Sequence, residues 1–168
     1  MVSHRTVSLL REISKEKKDL EVEKIESRDP KLAERYGKSM INDFNNGVVA
    51  WTDWNILLDQ TGGPNHVGNL CFSPVHGDTQ TGALTFTNSY YYMGHFSKYI
   101  RPGAKRIASA STSNSLLTTA FQNKDGSVVI IAMNPSDKAF EYSLTLDSKT
   151  AHLNTWPHAI QTIILTNP

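Results

Sequence analysis

The chain has a single cysteine, Cys71, so no disulfide can form within it. Its net charge is only +1 with the histidines neutral, which removes the electrostatic case for a nucleic-acid partner or an anionic membrane surface. No apolar run is long enough to span a bilayer, so no transmembrane segment is expected. Met1 to Arg5 lead into mixed charge rather than an apolar core with a small-residue cleavage site, and no signal peptide is expected. His66, His76 and His95, with Cys71 and Asp78, lack metal-ligand spacings, so no metal is expected. Gly62-Gly63-Pro64 is a turn and not a phosphate cradle, because proline removes a backbone N–H that an anion site would use. Cys71 lies among apolar residues as a structural thiol, and His95 reads as a packed helix residue. There is no internal repeat.

What is present is globular. A hydrophobic fraction of 39% with 20% charged residues, in 168 positions, can build one domain or two small ones. Residues 1–28 are the poorest part: Lys15 to Ser27 is dominated by Lys and Glu and reads as a solvated helix or tail. Asp29-Pro30 then offers an N-cap and a first helical residue. Leu32, Tyr36, Met40 and Phe44 make one apolar stripe, and Asn45-Asn46-Gly47 supplies the stop. Val48-Val49-Ala50-Trp51 follows as a predicted buried strand. Helix, glycine stop and buried strand together form one step of an α/β barrel.

Residues 56–88 carry turn chemistry and few regular signals, with apolar members such as Leu58 and Val75 that argue for packing. Tyr90 to Ile100 reads as a helix broken by Arg101-Pro102-Gly103. Beyond Ala104 the period changes to two. Leu116 to Phe121, Val128 to Met133, Phe140 to Leu146 and Ala159 to Leu165 are predicted strands, with turns at Asn123-Lys124-Asp125-Gly126 and Asn134-Pro135-Ser136-Asp137. Such spacing indicates an antiparallel β-sandwich.

The chemistry concentrates in Trp51-Thr52-Asp53-Trp54-Asn55 and the loop Gly62-Gly63-Pro64-Asn65-His66-Val67-Gly68-Asn69. A strand that ends in Trp and Asp and opens into a Gly/Asn loop is how a barrel presents ligand groups at the C-terminal ends of its strands. An indole covers the flat C–H face of a pyranose, while carboxylate and amide groups bond its hydroxyls. The pattern alone leaves a second reading open, in which Trp51 and Trp54 merely close the barrel end.

These residues resemble the last barrel strand and following loop of glycoside hydrolase family 30, the family of the glucosylceramidases. Tyr91-Tyr92-Met93-Gly94-His95-Phe96-Ser97-Lys98-Tyr99-Ile100 and Pro102-Gly103-Ala104-Lys105-Arg106-Ile107 resemble its next helix and the entry to its side domain. The resemblance runs from about Asp29 to Pro168 and implies an α+β chain. Residues 29–100 would be the last part of a (β/α)8 barrel and 101–168 a β-sandwich domain. It implies a retaining β-glycosidase of glucosylceramidase type, without cofactor, acting on a carbohydrate or glycolipid. Trp54 and Asn69 would contact the glycone, with Asp53, Trp51 and Asn55 behind them. Members of the family are often secreted or lysosomal.

Retaining glycosidases need two carboxyl groups about 5 Å apart. The family carries them as Glu residues at the ends of the fourth and seventh barrel strands, both upstream of the region matched here. Glu23, in Val22-Glu23-Lys24-Ile25-Glu26-Ser27, resembles the nucleophile pattern only loosely, and a charged residue in a solvated run is the better reading. The expectation is a chain without the catalytic pair, whose partner is a chain carrying the rest of the barrel. The alternatives are a non-catalytic carbohydrate-binding module and an inactive truncated fragment.

Overall fold

The computed structural model describes residues 30–63 and 71–166. They fall into two compact units, residues 30–94 and 95–166.

The first unit opens with helix α1, Pro30–Asn45. Ala33, Met40 and Ile41 bury its apolar stripe, at 1%, 5% and 3% exposure. The stop is a Schellman motif: the Gly47 N–H donates to the Phe44 carbonyl and the Val48 N–H to the Asp43 carbonyl. Gly47 takes φ +93, the left-handed conformation that only glycine adopts without cost. The expected cap Asp29 lies outside the described residues.

The predicted buried strand Val48–Trp51 does not form. The segment pairs with no ladder among the described residues, and Val49 is 97% exposed. A barrel strand is buried by its neighbours on both sides, and no described strand flanks this one. A small sheet follows instead. Strand β1, Leu57–Asp59, runs parallel to β2, Val75–Gly77, and β2 runs antiparallel to β3, Leu84–Phe86. Leu58 and Val75 anchor it as buried residues. Thr87 fixes the entry to helix α2, Asn88–Ser97, through donation to the Pro74 carbonyl by both its N–H and its hydroxyl. The division between units falls inside α2.

The second unit is a β-sandwich. Its main sheet has the order β4-β5-β6-β9: Lys105–Ile107, Leu117–Gln122, Val128–Asn134 and Ala159–Leu165, all antiparallel. Strands β7, Phe140–Leu146, and β8, Lys149–Thr155, form the second layer as a hairpin. Central strand β6 is buried on both faces. On one face, Val128, Ile130 and Ala132 join Leu116, Ala120 and Ile163, and Phe140, Tyr142, Leu144, Leu146 and Leu153 pack against this cluster from the hairpin. On the other face lies fully buried Ile131, register partner of Thr162. The Thr162 hydroxyl bonds Nδ1 of His95 at 2.8 Å. The chain is therefore α+β, barrel-end elements followed by an antiparallel sandwich.

The first unit exposes apolar side chains on its uncovered segments: Val49, Trp54 at 84%, Ile56 at 69% and Leu57 at 51%. Strand β1 also has a ladder partner on one side only among the described residues. Free edges beside apolar surface drive association. The purified chain is expected to form oligomers or aggregates in light scattering. A monodisperse monomer that melts cooperatively would contradict this.

Candidate functional site

The half-buried Trp51 meets the ring of Tyr36 on α1 edge-on, with centroids 5.6 Å apart. The Asp53 carboxylate lies close enough to the Tyr36 phenol to act on it. Burial, then the Asp53 bond and charge, push the Tyr36 phenol up to about 12. The hydroxyl therefore stays a donor throughout the neutral range. Trp54, the next residue, is 84% exposed, and Asp53 and Asn55 on either side of it are also exposed. The segment thus offers a flat indole in solvent at Trp54, three residues after a tryptophan that packs on Tyr36. Tyr36 was legible in the sequence only as a member of the helical stripe. Its hydroxyl contact depends on a residue seventeen positions away, and no local pattern signals it.

The loop after β1 is built at its base. The Asp59 carboxylate accepts from the Thr61 N–H at 2.8 Å, the Thr61 hydroxyl at 2.6 Å and the Gly63 N–H at 2.9 Å. These bonds, the Thr61 hydroxyl first, hold its pKa below the usual carboxylate value. Asp78 is held down in the same way by the N–H groups of Gln80 and Thr81. Both groups are ionised at neutral pH and cannot serve as proton donors there. Gln60 joins the two turns, donating to the Thr79 hydroxyl at 3.2 Å and accepting from the Thr79 N–H at 3.1 Å. His76 is similarly structural: Nδ1 lies 3.0 Å from the Asp59 carbonyl and Nε2 accepts from the Ser73 N–H.

Residues 64–70, and with them Asn69, lie outside the described residues, as does Glu23. The ends of that loop are nevertheless fixed, because the Cys71 N–H donates to the Gly62 carbonyl at 3.0 Å. Gly62 sits at φ +87, and a Cβ there would lie 2.5 Å from the Cys71 carbonyl oxygen. Both the backbone angle and the neighbour demand glycine. Gly62→Ala is expected to cost about 1–3 kcal/mol in urea unfolding; unchanged stability would show that the loop base is not held this way. Among the described residues, no three His, Cys, Asp or Glu side chains gather as a metal site.

Comparison with known proteins agrees with this geometry. Residues 7–100 match the glycosyl hydrolase family 30 TIM-barrel domain, and residues 103–163 match the glycosyl hydrolase family 30 beta sandwich domain. The barrel match thus takes in most of the charged segment before Asp29. Lysosomal acid glucosylceramidase of Mus musculus is 40% identical over 105 residues, which are 62% of this chain and 20% of that protein. Putative glucosylceramidase 3 of Caenorhabditis elegans is 34% identical over 140 residues, 79% of this chain and 26% of that protein. The chain therefore spans about a fifth to a quarter of these relatives. The crystal structure of SrfJ from Salmonella typhimurium superposes with a TM-score of 0.82 at 33% identity, covering 88% of this chain and 33% of that one. Matches to both the barrel and the sandwich models, over nearly the whole length, make the chain a member of glycoside hydrolase family 30.

Proposed function

We propose that the chain is the C-terminal part of a retaining β-glycosidase of glucosylceramidase type, acting on β-glucosides that include glycolipids. The observation that carries this reading is the 40% identity to a lysosomal acid glucosylceramidase across 105 residues. Trp54 stacks against the glycone and Asn69 bonds its hydroxyls. Trp51, Asp53 and Asn55 keep Trp54 in place. The barrel part is residues 29–100 and the sandwich 101–168, with 1–28 as a charged lead-in. The acid and the nucleophile are supplied by a separate chain carrying the rest of the barrel, and Glu23 is not the nucleophile. No cofactor takes part, since proton transfer and displacement at the anomeric carbon need only carboxyl groups.

The two tryptophans distinguish this reading from a merely structural one. With the barrel completed by a co-expressed upstream segment, Trp54→Ala is expected to weaken glucoside binding by about 1–3 kcal/mol. Because Trp54 is 84% exposed, its loss should change stability by less than about 0.5 kcal/mol. Trp51→Ala should do the reverse, lowering stability through the lost Tyr36 contact and affecting binding less. Titration calorimetry and urea unfolding on both variants decide it; equal binding losses with folding intact would refute the assignment.

A further inference from the structure

The sandwich carries a second exposed tryptophan that the proposed glycone site does not use. Trp156 is 66% exposed, in the tight connection Trp156-Pro157-His158 between β8 and β9. Isolated apolar residues on a surface are ordinary, but the surroundings of this one are unusually well fixed. The Trp156 carbonyl accepts from Nδ2 of Asn134 at 2.9 Å, and Asn134 is fully buried. Pro157 has a fixed φ and restricts Trp156 before it, and His158 sits at φ +54, in the left-handed region that few non-glycine residues occupy. His158 is held from both sides: its N–H donates to the Ser136 carbonyl at 3.3 Å, and its Nε2 lies 2.8 Å from Oδ1 of Asp137. The Asp137 side chain is 95% exposed, and a carboxylate has acceptor sites beyond the one facing His158.

A flat indole in solvent, on a backbone clamped from a buried asparagine and two residues before a histidine that pairs with a carboxylate, has the parts a sugar needs. The ring covers the C–H face of a pyranose, and the polar groups of the turn bond its hydroxyls. We propose that the Trp156 turn is a second carbohydrate-binding site, for a neutral pyranoside presented by an oligosaccharide or by a glycolipid headgroup. The site does not depend on Trp54, which belongs to the other unit. Its effect would be to raise the local concentration of substrates that offer more than one sugar.

The test uses the full chain and its Trp54→Ala variant, so that success or failure of the glycone assignment does not alter the outcome. Each is titrated with cellopentaose, and with phosphatidylcholine vesicles that do or do not contain glucosylceramide. Trp156→Ala is expected to weaken binding about fivefold or more in both backgrounds, and Trp156→Phe, which keeps a flat ring, to recover part of it. Circular dichroism should show both variants folded. Response to cellopentaose identifies an oligosaccharide site, and response only to glucosylceramide vesicles a headgroup site; either supports the proposal. Binding unchanged by Trp156→Ala overturns it, as does the absence of binding to either probe in the Trp54→Ala background. Trp156-dependent binding to vesicles lacking glucosylceramide also overturns it, since that would mark a general interfacial residue.

Discussion

The 168-residue chain, purified alone, is expected to release no glucose from a lipid β-glucoside. Retention requires one carboxyl group to protonate the leaving oxygen and another to attack the anomeric carbon, about 5 Å away. None of the described carboxylates near Trp54 is available for either part. Asp53 is exposed beside the Tyr36 phenol, with no carboxyl partner described near it. Asp59 and Asp78 are tied into their own turns, and those hydrogen bonds depress their pKa values. The sign is decisive: a depressed carboxyl group loses its proton below the ordinary carboxylate range and is fully ionised at neutral pH. Glu34 is buried on α1 and lies 3.2 Å from Nζ of Lys38. An aryl glucoside with a very good leaving group should be assayed beside the lipid, because it can react without an acid. Turnover of the lipid that disappears on a single Glu or Asp substitution would reveal a complete site and overturn the reading.

The largest loss of stability is expected from Asn134→Ala at the end of β6. This side chain is fully buried and makes four hydrogen bonds. Its amide donates to the Lys138 and Trp156 carbonyls at 2.8 and 2.9 Å, and its oxygen accepts from the Ser136 N–H and hydroxyl at 2.9 and 2.6 Å. One residue thus joins the turn after β6 to the turn before β9. Alanine would leave buried backbone groups without partners, at a cost of about 2–4 kcal/mol. Asn134→Asp should also destabilise, since it keeps the acceptor but loses both donations. Asp137→Ala is the control: that side chain is 95% exposed, and its pairing with His158 should contribute less than about 1 kcal/mol. Urea unfolding of the three variants checks the order. Comparable midpoints for Asn134→Ala and Asp137→Ala would show that the turns do not depend on Asn134.

How far the sequence predicts this molecule depends on where each element finds its partners. Helix α1 carries its own signals, the stripe through Met40 and the Gly47 stop, and forms where they indicate. Strands β6, β7 and β9 are also legible, because alternation or continuous apolarity in each matches its final burial. Strand β8, Lys149–Thr155, is not: Lys, Thr, His and Asn dominate it, and it is a strand because β7 pairs with it. The three-residue strands β1, β2 and β3 are invisible for a related reason, being too short to show a period. Val48–Trp51 fails in the opposite direction. Its composition demands burial between neighbours, and the described chain offers none. In the site, residue types pointed to Trp54 and Trp51, but only the fold brings the Tyr36 ring against Trp51.

The hydrogen bond between Gly62 and Cys71 has an evolutionary consequence. It ties together the two described residues that flank positions 64–70 of the sequence. Once such ends meet, lengthening the insert costs little, about 0.6 kcal/mol for each doubling in length. Insertions and replacements can accumulate there while β1 and β2 keep their register. The specificity of a glycosidase could drift at this point of the chain without its scaffold having to be solved again.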